Sequence, residues 1–518
     1  MVRRTHFIAV ALITALMGFA SLPAAAQSGR TFYIDYASGS NSNPGTKTSP
    51  WKSHPYMQAG AGCTGSGAAP AYSHQAGDHF IFKGGVTWPA TCFGIYIPAG
   101  GTSSAQDYYG VDKTWYSGSS WARPLWDLNY AVTTYVVAGS TGDPGYHTFD
   151  NFEIARQGIQ ATTATSYASQ EAFQFVAYGY TGTIIENCYI HGWATSNNVV
   201  SGTTEYSYGG VLGPGSPTPS TSIRFLNNVI SDADGYLYSG GVKKSVPFGG
   251  ACENCTEVAG NTFHDVMAAC FSPVLCHDNE FYNIDSGSIA LYDTAIHSQI
   301  IEDDSGGISY DYNNYLHDSP AAVSILVCAG SPIYNNVFSN LTNQPPIIID
   351  TNGCYAENPA TATEYIYNNT CDGTNSGGCV RLVRAGSTMG PVYLENNILI
   401  NGSISVEAVM TNLVNTNNYN MTPSEASTYG FTAARKYYPS SADPNVAGKG
   451  ANLASSCNGN LSALCFDAEA SAWYGGSQVA RPSSGAWDIG AFVANGGGGQ
   501  SQSSSKPNPP TNLTASVQ

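Results

Sequence analysis

Short stretches of alternating apolar and polar residues recur through the middle of the chain, each beginning beside an asparagine and ending in a turn of Asp, Asn, Gly or Ser. Alternation with a period of two predicts half-buried β-strands, and little amphipathic helix is indicated between them. The asparagines that mark the repeat, spaced roughly 20 to 40 residues apart, are Asn187, Asn228, Asn261, Asn279, Asn314, Asn336, Asn369 and Asn397. A repeat of this length made of strands alone predicts a β-solenoid, in which each coil stacks on the next.

The recurring asparagine has a physical role in such a coil. Asn tolerates left-handed backbone angles at a tight bend, and stacked Asn side chains can hydrogen-bond from one coil to the next. Leucine-rich repeats and β-propellers are the alternative architectures for repeats of similar length, but their spacing signatures are missing from this chain.

Histidine stands at one position of the repeat in three copies, His191, His264 and His317, the last within the octet YNNYLHDS (312–319). A His–Asp pair can act in acid–base catalysis. The other copies, however, carry Ser231, Tyr282, Ser339, Asp372 or Ile400 at this position. A position that accepts such different residues is a turn position, so these histidines are predicted to be structural.

The chain begins with basic residues, an apolar run and an alanine-rich site, which together predict a secretory signal peptide at 1–26. No later apolar run is long enough to span a bilayer, so an uncleaved anchor is the weaker alternative. Acidic residues outnumber basic ones by 36 to 19, for a net charge of -17. This charge argues against nucleic acid as a partner, because phosphate binding needs clustered Lys and Arg. We expect a secreted monomer, extracellular or periplasmic.

Cysteine content also indicates export, since 13 cysteines predict disulfides with one residue left over. Spacing cannot fix the connectivity, but it suggests a set of partners. The suggested pairs are Cys63/Cys92, Cys252/Cys255, Cys270/Cys276, Cys328/Cys354, Cys371/Cys379 and Cys457/Cys465. Cys188 remains. It follows Asn187 where other coils carry Val229 or Val337, and it is predicted to be a buried free thiol.

Several stretches carry a resemblance to known proteins: FYIDYASGSNSNPGTKTSPWKS (32–53), AGDHFIFKGGVTW (76–88), the Asn-rich coils (147–420) and GAWDIGAFV (485–493). They resemble the N-terminal segment, first cap strand, coils and closing segment of secreted proteins of the pectin-lyase-like superfamily. The resemblance implies an all-β fold, a right-handed parallel β-helix (β-solenoid) with an N-terminal cap. It does not specify an activity, because the superfamily includes polysaccharide lyases, glycoside hydrolases, epimerases and adhesins.

These features divide the chain into five parts. They are a signal peptide (1–26), an N-terminal segment with the cap and first coils (27–146), the parallel β-helix coils (147–430), a C-terminal closing segment (431–493), and a flexible linker with a fibronectin-III-like stub (494–518).

Catalytic chemistry is expected on the strands that follow the Asn turns, whose outward side chains form columns about 4.8 Å apart. The segments aligned for these strands are 235–244, 268–272, 289–293, 323–327, 346–350 and 380–384. Hydrolysis needs two carboxylates, which lie about 6.5–9.5 Å apart in an inverting pair. Asp293 and Asp350 occupy similar positions two coils apart in this alignment and are the predicted pair. Both could equally be solvated turn residues.

Lyase chemistry needs a base for the proton α to a uronic carboxyl, and positive charge to neutralise that carboxylate. The predicted catalytic cations are Lys243, Lys244 and Arg384. The predicted substrate contacts are Arg381 and four aromatic residues, Tyr238, Tyr292, Trp115 and Trp121. Asp303 and Asp304, within IIEDDSGG (300–307), are candidate calcium ligands, and no other cofactor is expected.

The sequence therefore predicts a secreted protein that cleaves glycosidic bonds of an extracellular polysaccharide. The resemblance and the Lys and Arg residues favour a polysaccharide lyase acting on a uronic-acid-containing glycan. The net charge and the aromatic content favour a glycoside hydrolase with a carboxylate pair, acting on a neutral or weakly acidic glycan. The third alternative is a non-catalytic β-helix for glycan binding or adhesion, since the sequence contains no sharp catalytic motif.

Overall fold

The structure is a computed structural model of the 518-residue chain. It describes residues 29–57, 63, 67–131, 135–140, 142–157, 171–174, 181–192, 211–212, 222–231, 238–239, 242–243, 255–266, 270–271, 273–284, 299–303, 308–319, 323–328, 330–342, 344–350, 360–383 and 388–494. The predicted signal peptide and nearly all of the predicted linker and stub lie outside these ranges. Among the described residues, no helix is long and apolar enough to cross a membrane.

Three parallel β-sheets are built from successive coils, and the chain passes through the first, second and third sheet in turn. In the described part of the chain the first sheet has 13 strands, the second has 12, and the third consists of a four-stranded and a six-stranded part. Each strand pairs in parallel with the equivalent strand of the next coil, as in Ile184–Glu186 against Arg224–Leu226. The fold is a right-handed parallel β-helix, which confirms the predicted all-β class and architecture.

The first sheet consists of Thr31–Ile34, His79–Phe82, Asp107–Gly110, His147–Asp150, Ile184–Glu186, Arg224–Leu226, Glu257–Ala259, Leu275–His277, Tyr310–Tyr312, Ile333–Tyr334, Glu364–Tyr367, Met389–Glu395 and Met410–Thr416. The second consists of Thr87–Pro89, Leu125–Asp127, Glu153–Ala155, Tyr189–His191, Val229–Ser231, Thr262–His264, Glu280–Tyr282, Tyr315–Ser319, Val337–Leu341, Thr370–Asp372, Ile398–Ile400 and Tyr419–Met421.

The four-stranded part of the third sheet consists of Ile95–Ile97, Tyr135–Gly139, Glu171–Gln174 and Val211–Leu212. Its six-stranded part consists of Cys270–Phe271, Gln299–Asp303, Val323–Cys328, Ile347–Asp350, Val380–Val383 and Ile404–Val406. Tyr238–Ser239 and Val242–Lys243 form a separate antiparallel pair. The described helices are the α-helix Pro423–Tyr429 and the 3₁₀ helices Ala90–Cys92, Ala433–Arg435, Ala454–Ser456, Gly459–Cys465 and Ala468–Ala470.

The bend between the first and second sheets is made by two residues, of which the first has a left-handed backbone. Its φ lies between 52° and 68° in ten coils. The residues are Asn151, Asn187, Asn227, Gly260, Asp278, Asn313, Asn335, Asn368, Asn396 and Asn417. Asn, Asp and Gly are the residues that accept this conformation at low cost, which explains why the bend is rich in asparagine.

The second residue of the bend forms a buried asparagine ladder: Asn228, Asn261, Asn279, Asn314, Asn336, Asn369, Asn397 and Asn418. Along the ladder each backbone N–H donates to the side-chain Oδ1 of the next coil at 2.8–3.0 Å. Each side-chain Nδ2 donates to a strand carbonyl of the preceding coil, as Asn314 does to the carbonyl of Cys276 at 2.9 Å. The predicted stacking of asparagines is therefore present.

One of the predicted markers, Asn187, does not belong to the ladder. Its backbone is left-handed, and the ladder position of that coil is taken by Cys188, whose N–H donates to Asn228 Oδ1 at 2.9 Å. Tyr189, and not Cys188, is aligned with Val229. The predicted alignment of Cys188 was wrong by one residue because the Asn-Asn pairs of other coils supply both bend positions. Cys188 is nevertheless a buried free thiol, as predicted.

The C-terminal residues pack along the outside of the solenoid over its last coils. Trp473, Ile489 and Phe492 are buried with outward residues of the second sheet, and Trp487 with tyrosines of the first. Arg481 is buried beneath them and donates to Asn335 Oδ1 at 3.1 Å. The stretch 485–493 thus packs against the solenoid, and its role as a closing segment stays a prediction.

Three of the predicted disulfides are present: Cys63–Cys92, Cys371–Cys379 and Cys457–Cys465. Cys255 and Cys328 are also disulfide-bonded, while Cys252 and Cys354, suggested as their partners, lie outside the described residues. The suggested Cys270/Cys276 pair is wrong, because both are buried free thiols. Cys270 begins a strand of the third sheet, and Cys276 lies within a strand of the first sheet.

Candidate functional site

The outer face of the first sheet carries several charged residues over its early coils. In neighbouring strands the central side chain points into the solenoid and is fully buried, as for Phe149, Ile185 and Phe225. Because side chains alternate along a strand, the residues on either side of these positions point outward. The outward residue before the bend is Asp150 in one coil and Glu186 in the next, paired in register.

Three donors converge on the Asp150 carboxylate. The Tyr108 hydroxyl donates to Oδ2 at 2.6 Å, and the side-chain amides of Asn151 and Asn187 donate to Oδ1 at 2.5 and 2.8 Å. Both asparagines are left-handed bend residues of adjacent coils, so the geometry of the bend itself supplies these donors. The Tyr108 side chain extends over the next outward position of its strand, which is Gly110. A Cβ at this position would lie 2.4 Å from the Tyr108 hydroxyl oxygen, so the glycine leaves room for the tyrosine.

Glu186 has a different environment from its neighbour. Its carboxyl has no hydrogen-bond partner among the described residues. Burial, followed by the negative charge of Asp150, raises the pKa of Glu186, and Arg224 offsets this only in part. Burial and the neighbouring charge therefore favour the protonated form of Glu186, which lies beside a carboxyl group fixed by three hydrogen-bond donors.

Further along the same face, Arg224, Glu257, His277 and Asp278 form an ion cluster. Arg224 Nε lies 2.5 Å from Glu257 Oε2. His277 Nε2 lies 3.1 Å from Glu257 Oε1, and His277 Nδ1 lies 2.7 Å from Asp278 Oδ2. The imidazole also stacks on Tyr312, with ring centroids 4.6 Å apart. The cluster links three coils next to the carboxylate pair.

The hydrogen bonds within this cluster favour the charged forms of His277 and Glu257. Burial opposes the charge on His277, but the hydrogen bonds to Asp278 and Glu257 outweigh it and raise the pKa of His277 to about 9. The hydrogen bond from His277, with that from Arg224, outweighs burial and lowers the pKa of Glu257 to about 2.

These pKa shifts predict a pH window of stability. The folded-state pKa of His277 lies above its unfolded value of about 6.5, so its contribution is complete below that pH and is lost as pH rises through about 9. The contribution of Glu257 is present above about pH 4.5 and is lost as pH falls through about 2. We expect His277→Gln to flatten the alkaline fall in the free energy of unfolding, measured by urea denaturation at several pH values. An unchanged fall would contradict this assignment.

The two predicted tryptophan contacts lie in a loop beside the first sheet. Trp115 packs edge-on against Tyr33, and the Lys83 ammonium lies 5.5 Å from the Trp115 ring centroid. The Lys113 ammonium lies 5.1 Å from the Trp121 ring centroid. The same loop reaches the carboxylate pair through Arg123, whose Nε donates to the carbonyl of Asn187 at 3.1 Å. The loop therefore borders the site, and sugar binding by its tryptophans stays a prediction.

The predicted pairing of Asp293 with Asp350 rests on an alignment that the structure corrects. Gln299–Asp303 pairs directly with Cys270–Phe271 on one side and Val323–Cys328 on the other. Segment 289–293 is therefore not the strand of this coil, because the connection from the second sheet is longer than the alignment allowed. Asp293 lies outside the described residues. Asp350 ends a strand of the third sheet and pairs with Cys328 and Val383.

The remaining predicted residues are divided between the third sheet, the hairpin and regions that are not described. Lys243 pairs with Tyr238 in the antiparallel hairpin, so the segment 235–244 is not a coil strand as aligned. Asp303 ends the strand Gln299–Asp303. Lys244, Tyr292, Asp304 and Arg384 lie outside the described residues. The catalytic, binding and calcium roles of these residues stay predictions.

Arg381 is the predicted cationic substrate contact, and its side chain is described. It extends from the third sheet and makes a two-pronged ion pair with Glu407, at 2.8 and 3.0 Å. No group of three or more potential metal ligands is found among the described His, Cys, Asp and Glu residues.

The three repeated histidines occupy one column of the second sheet, in register with the residues predicted from the sequence. Ser231 pairs with His191 and His264, and Tyr282 pairs with His264 and His317. His264 and His317 each bond the aspartate that follows, at 2.6 and 2.7 Å. Both aspartates have left-handed backbones. The histidines themselves lie in strands of the second sheet, so the predicted turn position was wrong, and their structural role stays a prediction.

Sequence reasoning missed Asp150 and Glu186 because it examined the strands after the Asn bend. A signal was present: in FDN (149–151) and IEN (185–187) a carboxylate stands directly before the left-handed asparagine in two successive coils.

Among solved structures, the chain is similar to a GH136 lacto-N-biosidase from Eubacterium ramulus, with 12% identity, a TM-score of 0.46, and coverage of 76% of this chain and 68% of that chain. It is also similar to pectate lyase Pel9A, with 14% identity, a TM-score of 0.41, and coverage of 90% and 97%. A rhamnogalacturonan lyase aligns with 15% identity, a TM-score of 0.37, and coverage of 75% and 87%. The sequence matches no family model and no curated protein. At such low identities and TM-scores, these similarities assign no activity and no residue role to this chain.

Proposed function

We propose that this protein is a secreted enzyme that hydrolyses glycosidic bonds of an extracellular polysaccharide. The observation that carries the proposal is the Asp150–Glu186 pair on the outer face of the first sheet. Hydrolysis of a glycosidic bond needs one carboxylic acid and one carboxylate placed on either side of the same bond. The raised pKa of Glu186 beside the hydrogen-bonded Asp150 carboxylate supports this division of roles.

The roles follow from the two environments. Glu186, which is half-buried and raised in pKa, protonates the leaving oxygen of the glycosidic bond. Asp150, oriented by Tyr108 and two asparagine amides, stabilises the positive charge that develops at the anomeric carbon. The regular face of a β-solenoid suits a linear polymer, because outward groups repeat at about 4.8 Å along it.

A polysaccharide lyase acting on a uronic-acid glycan is the alternative that the sequence resemblance favours. Such an enzyme must neutralise a substrate carboxylate with positive charge. Arg381, the candidate cation whose side chain is described, is engaged by Glu407. The lyase alternative therefore depends on Lys243, Lys244 and Arg384.

The test is a panel of neutral and uronic-acid polysaccharides, assayed both for new reducing ends and for the ultraviolet absorbance of unsaturated products. Hydrolysis predicts new reducing ends without that absorbance. Reducing ends accompanied by absorbance would identify a lyase and contradict the proposal. Binding of a polysaccharide without any cleavage would also contradict it, and would favour an adhesion protein.

A further inference from the structure

We infer that cleavage retains the anomeric configuration of the substrate, through a covalent glycosyl ester on Asp150 that Glu186 first helps to form and then helps to hydrolyse. The inference rests on the proposed function and concerns the same pair. It adds the number of chemical steps, the nucleophile and the stereochemical outcome.

The spacing of the two carboxyl groups is the first argument. Asp150 and Glu186 are in register on adjacent parallel strands and point to the same face, so their backbones are about 4.8 Å apart. This strand spacing is compatible with the carboxyl separation of about 5–5.5 Å found in retaining enzymes. An inverting pair needs about 6.5–9.5 Å, because a water molecule must fit between its base and the sugar.

The hydrogen bonding of Asp150 is the second argument. A carboxylate offers about four acceptor positions, and three are taken by Tyr108, Asn151 and Asn187. Two of these bonds are made to Oδ1, which leaves a lone pair of Oδ2 for attack. The three donors also fix the direction of that lone pair. Oriented nucleophiles of this kind lower the entropic cost of forming the covalent bond.

The chemistry balances in two displacements. In the first, Oδ2 of Asp150 bonds to the anomeric carbon, the glycosidic C–O bond breaks, and its electron pair stays on the leaving oxygen, which takes the proton of Glu186. In the second, a water oxygen bonds to the same carbon while Glu186 takes the water proton. The ester bond breaks with its electron pair returning to Asp150. One water is consumed, and two inversions give net retention.

The experiment follows the anomeric protons of the products by ¹H NMR in the first minutes of reaction. Defined gluco-, galacto-, manno-, xylo- and galacturono-oligosaccharides serve as the probes. We expect the initial product to have the configuration of the bond that was cut. An initial product of the opposite configuration would overturn the inference and leave the proposed hydrolysis standing. Absence of cleavage, or unsaturated products alone, would remove the proposed function together with the inference.

A chemical rescue identifies the nucleophile independently. Asp150→Ala leaves a space beside the anomeric carbon, and added azide is expected to fill it and form a glycosyl azide of inverted configuration in a single displacement. Asp150→Asn keeps the shape of the side chain and its space filled, so we expect neither cleavage nor azide rescue. Circular dichroism checks that both variants are folded. Failure of azide to act on folded Asp150→Ala, with cleavage by the unaltered protein established, would overturn the assignment of Asp150.

Discussion

Replacement of Glu186 by glutamine is expected to lower kcat by about 10²–10⁴-fold, because a general acid contributes roughly this factor to catalysis. Glutamine has nearly the shape of glutamic acid but cannot give a proton to the leaving oxygen. The pKa of Glu186 is raised by burial and by the charge of Asp150, so the unaltered protein should lose activity as pH rises and Glu186 ionises. In Glu186→Gln this alkaline limb of the pH profile should disappear. Steady-state kinetics across pH measures both effects.

Glu395 provides a matched control. It stands in the same outward column of the first sheet, roughly 34 Å further along, and accepts a hydrogen bond from Thr416 instead of facing a second carboxylate. Glu395→Gln should leave kcat within a factor of about two. A leaving group that needs no protonation should also restore much of the rate of Glu186→Gln, since only the acid step is impaired.

A substitution of Asp350, on the third sheet, allows the two candidate sites to be compared directly. If Asp350→Asn abolishes activity while Glu186→Gln retains it, the site lies where the sequence alignment placed it and the first-sheet proposal is wrong. Equal losses in both variants would also count against the proposal, because one pair of carboxyl groups suffices for hydrolysis.

The fold could be predicted because the residues that form each bend repeat along the chain. Each coil needs a residue that tolerates a left-handed backbone and another that hydrogen-bonds upward and downward, and asparagine meets both needs. Two adjacent asparagines, such as Asn313 and Asn314, therefore mark a bend directly in the sequence. Where another residue takes the place of one asparagine, as Cys188 does, the sequence fixes the position of the bend only to within one residue.

The candidate site was harder to predict because its residues do not recur from coil to coil. Connections between the second and third sheets vary in length, so an alignment cannot show which segment becomes the strand, as the displacement of segment 289–293 by Gln299–Asp303 illustrates. A shift of one residue also moves every side chain to the other face of a strand. Asp150 lies beside Glu186 because their strands pair in that register. The sequence alone does not specify which strands pair or in which register.

Replacement of Asn336 by alanine is expected to lower the free energy of unfolding by about 3–5 kcal/mol, as for loss of a buried hydrogen-bond network. Asn336 is fully buried near the middle of the ladder. Its Oδ1 accepts the N–H of Asn314 at 2.9 Å, and its Nδ2 donates to the carbonyl of Asp311 at 2.8 Å. Alanine would leave both backbone groups buried without these partners. Each such group costs about 1–3 kcal/mol.

Asn375 is the control for this effect, because it is exposed and, among the described residues, its amide bonds only the side chain of Asn340, at 2.7 Å. Asn375→Ala should change stability by no more than about 0.5 kcal/mol, the usual range for surface substitutions. Urea denaturation followed by far-ultraviolet circular dichroism measures both variants under the same conditions. Similar urea midpoints for the two variants would mean that the asparagine ladder accompanies the bend without stabilising the fold. A large loss confined to Asn336→Ala would show that coil stacking depends on these buried amides.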